Sequence, residues 1–230
     1  MKRLPISISV ITRNEERNLE RCLASVAGLG SEIVVMDSGS TDGTRAVAER
    51  HGAVWWEQEW LGYRDQKNAV LEKCVEPWVL ALDADEEVSA EMRGEIEAFF
   101  GGGGSERWSG ASFPRKVWFL GRWITHGDWY PDRKLRLVRR EGARWGGSPE
   151  HDYLEVAGPV LACRGDLHHY SFPDMERYVM KINVFAGEYL KRQLAEGKRW
   201  RLLPTVTRPL WRFFRAYVLR RGFLDGFPGL

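Results

Sequence analysis

Nothing in this chain approaches the about 18 consecutive apolar residues that a bilayer-spanning helix needs, so no transmembrane segment is expected. Cysteine is scarce. Cys22, Cys74 and Cys163 are odd in number, far apart and form no C-x-x-C pair. That argues against a zinc site or a disulfide framework and for reduced, buried thiols. Neither G-x-G-x-x-G nor GxxxxGK[ST] occurs, so dinucleotide and P-loop binding lack their glycine-rich signatures. The opening Met1-Lys2-Arg3-Leu4-Pro5 runs directly into an expected strand, and no signal peptide is read there. Acid is missing from one region as well: positions 197–224 contain neither aspartate nor glutamate.

What is present is an ordinary globular composition, 43% hydrophobic and 29% charged over 230 residues, enough for one domain with an appendage. The net charge of +2 hides a division. Positions 198–230 hold eight basic side chains against Asp225 alone, a balance of +7, while the first 197 residues carry −5. Such a split points the tail toward something anionic.

The first hundred residues alternate strand and helix. Apolar, β-branched runs at 6–12, 32–37, 53–56 and 78–83 read as strands. Between them, Asn14 is expected to cap a helix carrying Leu19, Cys22, Leu23 and Val26 on one face. Further helices are expected from the turn 38–43 to about 51, over 62–74, and from a Ser89 cap to about 100. This order implies an α/β fold, a mostly parallel twisted sheet with helices on both faces. The glycine run at 101–105 is expected to be a flexible joint, followed by short strands at 111–119, 134–139 and 153–156. Helices are expected over 173–196 and 204–221. The expected division is a catalytic domain, 1–197, and a basic helical tail, 198–230.

Chemistry enters with Asp83-Ala84-Asp85-Glu86-Glu87, directly after the apolar run 78–82. In an extended backbone Asp83 and Asp85 share a face, and two adjacent carboxylates call for a cation, Mg2+ or Mn2+ by their hard oxygens. A charged turn opening the next helix explains the acids equally well. Open α/β sheets, however, bind ligands beyond the carboxyl ends of their strands. Thr12-Arg13-Asn14-Glu15, Asp37-Ser38-Gly39-Ser40 and Asp83-Ala84-Asp85 would lie along one such rim. Each cluster alone is explained by a cap or a turn; together, and with Lys67, they suggest a nucleoside diphosphate held with a bridging cation.

ISVITRNEERNLERCLASV (8–26), EIVVMDSGSTDGT (32–44), GYRDQKNAVL (62–71) and WVLALDADEEVS (78–89) resemble family 2 glycosyltransferases of the GT-A fold. FLGRWITHGDWYPDRKLRLVRR (119–140), HDYLEVAG (151–158) and LHHYSF (167–172) are similar to the lipopolysaccharide core glucosyltransferases within that family. The resemblance implies a metal-dependent, inverting transfer of a hexose, glucose from UDP-glucose, to a lipid-linked glycan. It places Thr12, Arg13, Asn14 and Glu15 at the nucleoside with Ser38 and Gly39, and Asp37 as acceptor of a hydrogen bond from the base. Lys67 and Asn68 would line the nucleotide site, Asp83 and Ala84 the ribose side, and Asp85 with His169 the metal. Related enzymes show His-Glu where this chain has His151-Asp152, so either Asp152 or the preceding Glu150 would be the base.

Eleven tryptophans are many, and most are expected in the core; Trp129 is a candidate for stacking on an acceptor sugar. Alternation puts Lys134, Arg136 and Val138 on one face, where Arg136 would suit a phosphorylated acceptor and a solvated sheet edge would explain its neighbours. In the tail, Leu210, Phe213, Phe214, Tyr217 and Val218 share a face opposite Arg208, Arg212 and Arg215. That pattern suits an anionic membrane surface on the cytoplasmic side, or packing on the catalytic domain or a second subunit; no motif supports nucleic acid. Two rival functions follow from the same residues: a phosphatase of the haloacid dehalogenase type, which also places D-x-D after a strand, and a membrane-docked sugar-binding module without turnover.

Overall fold

The computed structural model describes residues 3–148, 151–172 and 174–229. Four parallel strands form its centre: β1 (Leu4–Thr12), β2 (Gly30–Asp37), β3 (Val54–Glu57) and β4 (Trp78–Asp83), in the order β3-β2-β1-β4. The connections are α1 (Glu16–Ser25), α2 (Thr44–Arg50) and α3 (Tyr63–Lys73). Next come β5 (Glu86–Val88), α4 (Ala90–Gly101), the short α5 (Gly104–Arg107), β6 (Gly110–Phe119), β7 (Arg122–Trp123) and β8 (Asp132–Arg139). β9 (Arg144–Ser148) and β10 (His151–Glu155) make a separate antiparallel ribbon. β11 (Val160–Ala162) and β12 (Leu167–His169) complete the sheet, whose order continues β4-β8-β6-β12-β5.

Side chains alternate across this sheet with the strand period of two, which builds a core on each face. Ile6, Ile8, Val10, Val35, Trp78, Leu80 and Leu82 face α1, α2 and α4, meeting Leu19, Leu23, Val47, Met92, Ile96 and Phe99. Val34, Met36, Val79, Ala81 and Val138 face the other way, against Val70 and Leu71 of α3 and Trp145 and Leu154 of the ribbon. Helical cover on both sides explains why these strands read as continuous apolar runs. All three cysteines are buried thiols, and burial pushes Cys74 up to about 12 and Cys163 up to about 11.

By its contacts the chain forms two compact units, Met1–Arg115 with Arg133–His169, and Lys116–Asp132 with Tyr170–Leu230. The first holds the parallel sheet. The second contains β7, α6 (Met175–Ala195), α7 (Leu202–Phe213), a π-helical continuation Phe214–Leu219 and the 3-10 turns Gly222–Asp225 and Phe227–Gly229. Phe119, Trp129, Phe172 and Tyr178 pack together in it, with ring centroids 4.9 to 6.1 Å apart. Asp225, 1% exposed, accepts hydrogen bonds from the Thr125 and His126 N–H groups and from the Thr125 hydroxyl. The expected boundary at 197/198 therefore falls inside the second unit.

Several local expectations change. Asn14 does not cap α1: Glu15 holds the N-cap position without a side-chain bond, and Asn14 adopts φ 56. The glycine run is no hinge between units. It ends α4 and turns into α5 through Gly103 at φ 72, within the first unit. β8 is an interior strand between β4 and β6 rather than a solvated edge. Asp85 is not in an extended strand, because β4 stops at Asp83 and the chain turns through Ala84 and Asp85 into β5. Glu86 closes that turn, its Oε2 accepting from the Asp83 N–H at 3.0 Å.

One glycine fixes how β12 meets α4. The Arg164 and Gly165 N–H groups donate to Glu95, and a Cβ at Gly165 would lie 2.4 Å from the Met92 nitrogen. Gly165→Ala must push the loop off the first turn of α4, and we expect a loss of about 1–3 kcal/mol in urea denaturation. Gly94 in α4 has open space around its Cβ position, so Gly94→Ala should instead gain up to about 1 kcal/mol.

Candidate active site

The carboxyl ends of the parallel strands are in register: Thr12 lies beside Asp37, and Ile11 beside Asp83. The loops that follow are laced together. Asn14 Oδ1 accepts from the Thr41 N–H at 2.8 Å, the Asn14 N–H donates to Ser40 Oγ at 2.7 Å, and the Glu15 N–H donates to Thr44 Oγ1 at 2.9 Å. Burial of Asp42 would raise its pKa, but hydrogen bonds from the Thr44 hydroxyl and the Thr44 and Glu16 N–H groups outweigh it, and the pKa is lowered.

Asp37 is 2% exposed and fully engaged. Its Oδ1 accepts from the Thr12 and Ser40 hydroxyls at 2.8 and 2.6 Å, and its Oδ2 from the Gly39 and Ser40 N–H groups at 2.9 and 2.7 Å. Four donors fill the acceptor sites of one carboxylate. Asp37 thus shapes the 38–41 turn, which Gly39 permits at φ 86.

Two organic cations meet at the tip of β4. Lys67 Nζ from α3 lies 2.7 Å from Asp83 Oδ1, and Arg136 Nη2 from β8 lies 2.8 Å from Asp83 Oδ2. Arg136 also pairs with Glu86 at 2.6 Å, and Arg115 approaches the same Glu86 oxygen at 3.7 Å. Burial would raise the Asp83 pKa, yet Lys67 and Arg136 hold it far below the ordinary carboxylate range. Burial likewise disfavours the charged forms of Lys67 and Arg136, yet Asp83 and Asp152 keep the Lys67 pKa raised, and Glu86 and Asp83 that of Arg136. Arg136, 3% exposed, is therefore consumed by these acids and does not present itself to an acceptor.

Lys67 has a second partner: its Nζ lies 2.8 Å from Asp152 Oδ2. The ammonium sits 4.4 Å from the centre of the Trp145 ring, with the Arg136 guanidinium 5.7 Å from it. Asn68, the next residue, clamps the Trp145 backbone, donating to its carbonyl at 3.0 Å and accepting from its N–H at 2.8 Å. Asn68 so anchors the floor beneath Lys67. Gln66 completes the triplet, 0% exposed, donating to Ser38 Oγ at 3.1 Å.

Asp85 faces a different partner. β12 pairs antiparallel with β5, setting His169 beside Glu86, and His169 Nε2 comes within 3.3 Å of Asp85 Oδ2. His169 is 8% exposed, and its Nδ1 is buried without a hydrogen-bond partner. A carboxylate oxygen beside an imidazole nitrogen, with the other ring nitrogen unsatisfied, fits a divalent cation as donor chemistry. Among the described residues no three His, Cys, Asp or Glu side chains form a complete cage. The remaining ligands would have to come from a bound phosphate and water.

Thr12, Asp37, Lys67, Asp83, Asp85, Arg136, Asp152 and His169 all belong to the first unit. Ala84, 6% exposed, has joined the core, Arg13 is exposed, and Glu15 accepts from Asn18 Nδ2 at 2.8 Å. Glu150 lies outside the described residues. Trp129 belongs to the aromatic cluster of the second unit. Glu86, Arg115, Gln66 and Trp145 are participants the sequence reading did not assign. For Glu86 and Gln66 a signal existed: each adjoins a residue already singled out.

This arrangement of strands, with acids at the carboxyl tips and an antiparallel extension beyond them, is the GT-A type. Its structural neighbours include TarS 1-349 from S. aureus, crystallised in complex with UDP-GlcNAc, at a TM-score of 0.51 and 16% identity. That match covers 76% of this chain and 61% of the TarS chain, and the likeness concerns the fold. The Glycosyl transferase family 2 model matches residues 7–102. The lipopolysaccharide core biosynthesis glycosyltransferase LpsC of Rhizobium meliloti is 32% identical over 235 residues, covering 98% of this chain and 86% of LpsC. An uncharacterized glycosyltransferase of Rickettsia felis is 33% identical over 239 residues, with 97% and 82% covered. The chain belongs to glycosyltransferase family 2, and the phosphatase reading is set aside.

The ion-pair cluster makes a stability prediction. Arg136→Met removes the cation shared by Asp83 and Glu86 and leaves a buried Glu86 and a half-buried Asp83 short of counter-charge, a loss of about 3–5 kcal/mol in urea denaturation. The sign with pH follows from the depressed Asp83 pKa: its contribution is complete above the unfolded carboxylate value of about 3.9 and is lost as pH falls below it. With Arg136 gone that depression shrinks, so acid unfolding of the variant should begin at a higher pH than in the parent chain.

Proposed function

We propose that this family 2 enzyme moves a hexose, glucose first among candidates, from a UDP-sugar to a hydroxyl of a lipid-linked glycan such as lipopolysaccharide core, with inversion. The observation that carries the reading is Lys67, which ties Asp152 to Asp83 at the rim of the parallel sheet. The likeness to LpsC supports the glycan acceptor, and the UDP-GlcNAc bound to TarS supports a UDP donor.

The chemistry is a displacement at the anomeric carbon. The acceptor oxygen forms the new bond, the bond to the diphosphate oxygen breaks, and the acceptor proton goes to a base. Asp152 fills that role, its carboxylate held at the rim by Lys67 Nζ at 2.8 Å. Asp85 and His169 would hold a Mg2+ or Mn2+ ion, which supplies positive charge to the departing diphosphate. Thr12 and the 38–41 turn border the nucleoside, with Asp37 bracing them from behind.

Delivery to a lipid-linked acceptor fits a chain that works at a membrane surface. No helix among the described residues is long and apolar enough to cross one. α7 and the turn after it expose Leu203, Leu210, Trp211, Phe213 and Phe214 in a region without acids. An interfacial helix of this composition docks by burying its apolar face while its arginines meet anionic headgroups, here on the cytoplasmic face.

The test is Asp152→Asn, assayed for sugar transfer and, separately, for UDP binding by calorimetry. Removing a general base costs about 10²–10⁴ in turnover, and UDP affinity should stay within a few-fold of the parent. Unchanged transfer would remove Asp152 from the chemistry. A parent chain that binds UDP without releasing sugar to any acceptor or to water would be the binding module instead.

A further inference from the structure

Asp128, in the loop after β7, has a side chain 11% exposed and three guanidinium groups around it. Arg215 Nη2 lies 2.5 Å away, Arg220 Nη1 3.1 Å and Arg212 Nε 3.8 Å. One carboxylate offsets one of three cations, so the group keeps a formal charge of +2. Positions 197–224 hold no acid to offset it, and the Asp225 carboxylate is bound by Thr125 and His126 rather than by these arginines. The cluster is also short of hydrogen bonds within itself: Arg215 Nε and Asp128 Oδ1 are buried without a hydrogen-bond partner.

We infer that Arg212, Arg215 and Arg220, gathered by Asp128, form a binding site for the phosphomonoester headgroup of a membrane lipid. The inference rests on the membrane-docked reading above and adds a specific site to it. The guanidinium side chains are 76%, 42% and 53% exposed, and each has five N–H donors in a planar fork, more than one carboxylate can take. A phosphomonoester carries about −1.5 to −2 near neutral pH and three acceptor oxygens, which matches the residual +2; a phosphodiester carries only −1. The surroundings select the lipid-borne form. The same helical segment exposes Leu210, Trp211, Phe214, Val218 and Leu219, with the Trp211 and Phe214 rings 6.0 Å apart. Indole and phenyl beside a phosphate site is interfacial chemistry.

The experiment is vesicle flotation of the full chain with phosphatidylcholine vesicles containing either phosphatidic acid or phosphatidylglycerol, matched for surface charge. The parent chain should bind phosphatidic acid at least about five-fold better. Arg212→Gln with Arg220→Gln should abolish that preference, and Arg212→Gln alone, at the most exposed of the three, should reduce it. Arg199→Gln with Arg201→Gln removes equal charge elsewhere in the tail and should weaken both lipids alike while keeping the preference. Circular dichroism melts confirm that each variant is folded. Equal losses from the two double variants would overturn the site, as would a parent without preference that still binds both vesicles, which leaves the docking reading standing. A parent that floats with neither vesicle would overturn both.

Discussion

Asp83 is shared between two buried cations, and the geometry of the whole rim follows from that sharing. Lys67 arrives from α3 and Arg136 from β8, so one carboxylate ties together a parallel strand, a crossover helix and the antiparallel extension. Removing water from three such charges is expensive, and the arrangement holds because each charge meets more than one partner: Lys67 meets Asp83 and Asp152, and Arg136 meets Asp83 and Glu86. Trp145 lies under both cations, and Asn68 clamps its backbone. What looks in sequence like a loose run of acids is in space a connected ion-pair network, in which Arg136 Nε is buried without a hydrogen-bond partner.

Ion pairing divides the two aspartates. Asp83 is neutralised by side chains and has little need of a metal. Asp85, two residues past the strand end, is turned away by the Ala84 bend and meets His169 instead. The ammonium that holds Asp83 also holds Asp152, so loss of Lys67 would disturb both.

Much of this was legible in the chain itself. Continuous apolar, β-branched runs marked the four parallel strands, and Ser89 capped α4 as its type suggests, accepting from the Met92 N–H. The rim was legible because acids at strand ends are rare enough to notice. What escaped was the assignment of partners. Arg136 alternates onto the face expected, yet nothing in a one-dimensional pattern says that β8 is inserted next to β4, where its arginine must answer Asp83 and Glu86. Asp37 and Asn68 escaped for a related reason: a polar side chain at a rim serves a ligand or the backbone around it, and hydrogen-bond geometry alone separates the two. The glycine run misled because helix termination and interdomain flexibility draw on the same residue.

The decisive measurement is a manganese anomalous-scattering map of crystals grown with UDP and Mn2+. The account predicts one metal peak within bonding distance of Asp85 and His169, with Asp83 still paired to Lys67 and Arg136. A peak coordinated by Asp83 with Lys67 displaced, or a diphosphate bound away from β4 altogether, would contradict it.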